Sequence, residues 1–302
     1  MKAVHQEWDF SMKKVIIVVF CIIWASLEAA EWTWAESIGG DNMERIWDIC
    51  SDGENNLLVG GEYVDSLWIS GQSFDGPDMP NSFIAKYTAE GELMWCNVLS
   101  SSSENCILGI GTDAQGNSYA GGYFVDTLQC QGYSVVSAGL WDAFVLKCNP
   151  LGELMWLRSF GGELNDIIHG LAVNSAGQIF AGGWFADTVI IDAVTSLNSY
   201  GGSDIMVLSL DNLGNALWAR HAGTSGVDYG YKIACDEAAN SYITGYASQG
   251  SNFDGLELGG SRIAIEVEDR KGVMAELSRL FFDLGVNILS TSTFYRDSKR
   301  LI

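Results

Sequence analysis

The chain has 302 residues, 48% of them hydrophobic, with a formal charge of −22 and a pI near 4.2. Residues 31–260 carry six cationic side chains (Arg45, Lys86, Lys147, Arg158, Arg220, Lys232) against 29 Asp and Glu, whereas residues 261–302 carry seven against six. A body that acidic repels phosphate backbones, which removes nucleic acid from the expected partners, and the change in balance marks a boundary near residue 260.

In chain order the first element is "MKKVIIVVFCIIWASLEAA", from Met12. Two lysines precede an apolar run from Val15 to Leu27, and the small residues Ala29 and Ala30 follow. That layout predicts a secretory leader over residues 12–30, with 1–11 an upstream extension and the mature chain exported to the periplasm, the cell surface or the medium. Six cysteines then remain (Cys50, Cys96, Cys106, Cys130, Cys148, Cys235), with no C-x-x-C pair and only His169 and His221 as imidazoles. No zinc site is expected from that set, and disulfides and isolated buried thiols both stay open.

From residue 32 the chain repeats itself. Trp34, Trp95, Trp156 and Trp218 are 61, 61 and 62 residues apart and open "WAESIGG", "WCNVLSS", "WLRSFGG" and "WARHAGT". About twenty residues on come "ENNLLVGGEYVDS", "QGNSYAGGYFVDT", "GQIFAGGWFADT" and "ANSYITGYAS". A third segment closes each full unit: "NSFIAKYTAEG", "WDAFVLKCNPLG", "SDIMVLSLDNLG". The third unit divides into four short runs at Leu171–Val173, Ile179–Phe185, Ile205–Leu210 and Trp218–His221, rich in β-branched and aromatic residues between turn signals. Four antiparallel strands at this period predict a mainly β fold, a β-propeller of about four units over residues 32–258. Gly61, Gly122 and Gly183, each the second of a glycine pair, are expected at a bulge or a close backbone approach, and Asp113–Asn117 and Asn174–Gln178 at tight hairpin turns.

These anchors resemble the secreted bacterial β-propeller repeat family, the match covering about residues 32–258. The resemblance implies an exported or surface propeller with a structural or binding role rather than an enzyme. The Trp34 strand stands where the last strand of a blade belongs, and the fourth unit has no Trp strand of its own. The N-terminal strand is therefore expected either to complete the fourth blade or to leave a truncated array.

At Gly260 the pattern changes. "GGSRIAIEVEDRKGV" overlays "GGSDIMVLSLDNLGN", so a third strand is due, but Val273, Leu277, Leu280, Phe281 and Leu284 then follow a helical period that Gly285 stops, and "VNILSTSTFY" reads as a strand. Strand, "EDRKGVMAEL", helix, "LGVNIL" is similar to the first half of an ACT domain, over residues 261–302. That resemblance implies amino-acid sensing, with small-molecule contacts carried onto Asp269, Arg270, Gly272, Val273, Asn287 and Ile288. The second β-α-β of that module is missing.

No G-x-S-x-G elbow, P-loop, H-E-x-x-H or EF-hand loop occurs, so no residue is nominated as catalytic and no cofactor is expected. Asp65, Asp126 and Asp187 recur after the second strand; they read as turn positions and not as a ring of calcium carboxylates, because no second liganding oxygen recurs at loop spacing. Trp34, Trp95, Trp156 and Trp218 are expected to pack units together rather than to flank a quinone cofactor. Trp68, Trp141 and Trp184 read as exposed aromatics able to stack on sugars, whereas Trp47 is expected in a different strand from its repeat-mates Leu108 and Ile168 and carries no such argument. The partners to expect are a protein or a glycan, with an amino acid at the ACT-like tail.

Overall fold

The computed structural model describes residues 32–248 and 250–253, and the backbone of the short strands Lys14–Phe20, Leu256–Glu257, Glu266–Val267, Phe294–Arg296 and Lys299–Leu301. Among these residues every regular element is a β-strand. The first unit runs through strands Glu44–Ser51, Leu57–Tyr63, Asn81–Tyr87 and Leu93–Ser101, paired antiparallel in that order. The second repeats it with Asn105–Thr112, Ser118–Phe124, Asp142–Cys148 and Leu154–Phe160. The third uses Asp166–Val173, Ile179–Ile190, Ser196–Leu210 and Ala216–Gly223.

The second and third strands of the first two units are buried almost throughout. A sheet stacked between two others hides both of its faces, which is why these runs read as apolar rather than alternating. The cores accordingly lie between units. Leu58 and Ile84 of the first unit share a cluster with Ile107, Ile110 and Phe144 of the second. Tyr119 and Val145 of the second join Ile168, Leu171, Ile179 and Met206 of the third. Burying each aliphatic side chain in these clusters contributes about 1.5–3 kcal/mol.

One expectation needs enlarging. The units are not limited to four strands, because a hairpin lies between the second strand and the third. It is Ser66–Ile69 with Gln72–Asp75 in the first unit and Thr127–Cys130 with Tyr133–Val136 in the second. In the third unit it is the extension of the two long strands, paired through Thr188↔Asn198 to Ile190↔Ser196. Each hairpin reaches back to the Trp strand of the unit before it: Gly39↔Trp68, Ser101↔Leu128, Gly161↔Ile190 and Ala222↔Phe253. The sheets therefore run across unit boundaries and cover edges that four-stranded units would leave open.

The ends differ from expectation as well. The fourth unit contributes Tyr229–Cys235 and Ser241–Tyr246 as a two-stranded sheet, clasped to the third by Asn252–Phe253. Trp32–Gly39 does not complete it, because Lys14–Phe20 pairs along that strand and satisfies its backbone groups. Glu266–Val267 lies in the register due for a third strand but pairs with Lys299–Leu301. Among the described residues the array holds three complete units and two strands of a fourth, which is the open alternative and not closure by the Trp34 strand. The helix predicted over Val273–Leu284 falls outside the described residues.

The turns between first and second strands are built alike. Asp52 Oδ1 accepts from the amides of Glu54 and Asn56, and Oδ2 from Asn56 Nδ2. Asp113 and Asp236 repeat this with Asn117 and Asn240. Gly116 and Gly177 turn the chain at φ of 77° and 78°, as expected. A lysine from the third strand reaches under two of these turns. Lys86 Nζ stands 2.8 Å from Asp52 Oδ2, with both side chains 2% exposed, and Lys147 Nζ 3.8 Å from Asp113 Oδ2. Each lysine also donates into the following unit, Lys86 to Gly116 O and Lys147 to Asn212 O.

Candidate functional site

The first strands of the four units converge, and each is bulged, in the first three units opposite the glycine pair and in the fourth opposite Thr244. The register slips between Ile46 and Asp48, between Ile168 and Gly170, between Gly230 and Ile233, and opposite Gly121 and Gly122. The bulge brings the first-strand backbone against the second strand, so a Cβ on Gly61, Gly122 or Gly183 would fall on the carbonyl oxygen of Arg45, Cys106 or Ile167. Those three glycines are required by close approach, as their place in the repeat predicts.

The extra residues of the bulges are Trp47, Leu108 and His169, with Tyr231 and Lys232 in the fourth unit. The expectation that Trp47 lies in a different strand from Leu108 and Ile168 is thus corrected: all three lie in first strands, and the bulge places His169, not Ile168, at the position of Trp47. His169 meets Tyr231 edge-on with ring centroids 5.3 Å apart, Tyr229 lies 6.4 Å from Tyr231, and Trp184 packs on Tyr229 at 4.9 Å. Lys232 Nζ crosses to Asp48 Oδ2 of the first unit at 3.0 Å and donates to Leu108 O, and Ile110 N also donates to Asp48 Oδ2. Arg45 pairs with Glu62 at 3.2 Å and lies over the Trp47 ring at 5.7 Å. Side chains of the first, third and fourth units and backbone groups of the second thus line this convergence.

The electrostatics there are quiet. Arg45 and Lys232 both face carboxylates, and burial, with the Lys232 charge second, pushes His169 down to about 4. The imidazole is neutral at pH 7 and can donate or accept one hydrogen bond. The thiol of Cys106 is buried, and its burial raises its pKa far above the ordinary thiol range, so it is no nucleophile. Trp47 and Tyr231, each 43% exposed, present the open aromatic surface. Such a place can stack and hydrogen-bond a ligand.

The repeat tryptophans form joints between units. Trp34 Nε1 donates to Ala89 O, Trp95 Nε1 to Pro150 O and Trp156 Nε1 to Asn212 O, at 3.0, 3.1 and 3.1 Å. Each indole lies on a glycine of the next unit (Gly91, Gly152 or Gly214), where a Cβ would come within 2.6, 2.7 or 3.1 Å of the ring. Trp218 packs on Phe180, and no acceptor among the described residues faces its indole nitrogen.

Other expectations resolve unevenly. Asp65, Asp126 and Asp187 sit at φ of 67°, 62° and 61°, left-handed turn positions that Asp tolerates. Trp141 and Trp184 are half-buried in contact with Cys106, Leu108 and Ile167, and so are not the exposed sugar platforms expected; Trp68 is 54% exposed. The six cysteines are free, with burial pushing Cys130 up to about 11 and Cys96 to about 12. Asp269, Arg270, Gly272, Val273, Asn287 and Ile288 lie outside the described residues. The sequence reading missed the hairpins and the buried lysines, although "FIAKY" and "FVLKC" hold a lysine at one repeat position.

No protein-family model matches the chain. Over 122 residues, 38% of this chain, it is 25% identical to an uncharacterized WD repeat-containing protein of Acanthamoeba polyphaga mimivirus, and the match spans 9% of that protein. That likeness and the strand-rich sheets fit a β-propeller-like repeat protein.

Proposed function

We propose that the chain is a non-catalytic binding module, exported and working outside the cell, that holds a protein partner at the convergence of its first strands. One observation carries the reading: Trp47, His169 and Tyr231 come from three different units through the same bulge and leave two aromatic rings open to solvent. A convergent surface of neutral aromatic and imidazole groups suits an aromatic or apolar side chain of a peptide, with hydrogen bonds from Tyr231 and His169. The WD repeat-containing relative supports a propeller-type scaffold, and the leader pattern over residues 12–30 supports export. Cleavage of that leader would remove Lys14–Phe20 and free the Trp32–Gly39 edge that it covers in the full chain.

The test is selection of peptides from a displayed library on the purified chain, followed by titration of the selected peptides against Trp47→Ala and Tyr231→Ala. Loss of tenfold or more in affinity in both variants is the expected result. Peptides that bind both variants as tightly as the parent, or turnover of a hydrolase or dehydrogenase substrate by the parent, would overturn the proposal.

A further inference from the structure

At the first two joints the first residue of a unit's third strand stands near the residue that opens the next unit's first strand, and Asp204 and Asp228 take these places at the third. In the first joint these are Asn81 and Asn105, both fully buried. Their amides complete one another. Asn105 Nδ2 donates to Asn81 Oδ1 at 3.1 Å, Asn105 Oδ1 accepts from Ser82 N, and Asn81 Nδ2 donates to Met79 O.

In the second joint the same two places hold Asp142 and Asp166, 2% and 0% exposed. Asp142 Oδ2 accepts from Ala138 N at 2.9 Å and Asp166 Oδ2 from Gly162 N at 2.8 Å. The other oxygen of each, Asp142 Oδ1 and Asp166 Oδ1, is buried without a donor. The remaining charge acting on Asp166 is Asp187, another carboxylate, and the other groups facing the pair are the amides of Ala138, Gly139, Gly162 and Ala186. Glu163, in the connection between the two, is exposed and also anionic. Among the described residues no cation acts on either acid.

The third joint meets the same problem differently. Asp204 faces His221 Nδ1 at 3.3 Å, and Asp228 accepts from Thr224 N, Thr224 Oγ1, Ser248 N and Ser251 Oγ. Asp204 Oδ1 is also without a donor, but among the described residues only the second joint leaves one oxygen orphaned on each of its two acids and gives neither an imidazole.

We propose that Asp142 and Asp166 share one proton, so that an O–H···O bond between a carboxylic acid and a carboxylate replaces the N–H···O bond of the first joint and makes the second joint sensitive to pH. Two buried like charges cannot both ionise cheaply, and a single proton relieves the repulsion while giving one orphaned oxygen a donor. Burial raises both acids, Asp166 to about 8, and the charge of Asp142 adds to the rise of Asp166. The folded chain therefore keeps a proton that the unfolded chain releases near pH 4. Stability from this pair is fully present below that pH and is lost as pH rises through about 8. Asp166 and His169 lie on one strand, so the proton supports the strand that carries the candidate site.

The experiment is urea unfolding of the full chain from pH 5 to pH 9, for the parent, Asp166→Asn and Asp142→Asn. Glu44, raised to about 7 by burial and then by Asp41, contributes to the pH dependence of all three, so the difference between parent and variant is the readout. Between pH 5 and pH 8 the parent should lose up to about tenfold in folding constant per pH unit relative to Asp166→Asn, which supplies the N–H of the first joint. The same slope in parent and variants would overturn the proposal. So would stabilisation of the parent, but not of Asp166→Asn, by calcium or magnesium, because an ion and not a proton would then lie between the acids. If neither variant folds, carboxyl-carbon NMR of the labelled parent decides. One buried carboxyl signal unchanged from pH 5 to pH 7 and moving near pH 8 supports the shared proton, and two signals already ionised at pH 5 overturn it.

Discussion

The first two units and the third solve one problem with different chemistry. Under the turns of the first two, a buried lysine meets a buried aspartate (Lys86 with Asp52, Lys147 with Asp113). In the third, Asn174 holds the aspartate's place and accepts from the amides of Ala176 and Gln178, while Ser209 replaces the lysine and accepts from Gln178 Nε2 at 2.7 Å. The backbone turn is the same, so it needs only the side-chain oxygen at the first position. Charge is an option there, and the two partners change together because a buried charge without its counterpart is costly.

The sharpest way to break this comparison is to remove one charge. Lys86→Met should destabilise the chain by about 3–5 kcal/mol in urea unfolding, because Asp52 then stays buried without its cation. Lys86→Ser with Asp52→Asn, the chemistry of the third unit, should recover most of that loss. Next in size is the reverse exchange. Ser209→Lys alone should cost about 3 kcal/mol and the pair with Asn174→Asp less, a coupling of about 1–2 kcal/mol readable in a double-mutant cycle.

Acid sharpens the comparison further. Burial alone would raise Asp52, but the Lys86 contact, the Asn56 side chain and the amides of Asn56 and Glu54 together hold it below the ordinary value of 3.8. Its contribution is present above that value and lost as pH falls through the lower folded one. Amide exchange below pH 4 should therefore loosen the first turn before the third, whose Asn174 does not titrate. A smaller effect separates the indole joints. Trp156→Phe should cost about 1 kcal/mol more than Trp218→Phe, since only Trp156 gives up a hydrogen bond to a described acceptor. Smallest is Trp68→Ala, more than half exposed and expected within about 0.5 kcal/mol of the parent.

The Trp spacing and the glycine pairs were legible because each joint reuses the same contact, and a contact repeated in space leaves a period in sequence. The indole has to meet a glycine one unit on, so Trp34, Trp95 and Trp156 recur with Gly91, Gly152 and Gly214. The hairpins were not legible, because a two-strand excursion such as "SLWISGQSFD" has the composition of an ordinary loop until the neighbouring Trp strand gives it a partner. The match of Trp47 with His169 was hidden for a similar reason. One extra residue in a bulge shifts the alternation, and only the paired strand shows which residue is the extra one.

The sequence by itself therefore determined the repeat, its β character, its turns and the acidic surface, all of which follow from local preference and from contacts that recur at a fixed separation. Tertiary structure alone decided which residues meet across units: Lys232 with Asp48, His169 with Tyr231, and Asp166 beside Asp142. It also decided that Trp32–Gly39 pairs with Lys14–Phe20 and not with the described strands of the fourth unit. The physical reason is shared by all of these. A strand carries two unpaired backbone edges and two faces, its own residues do not say which neighbour will cover them, and the covering is settled only when the sheets stack.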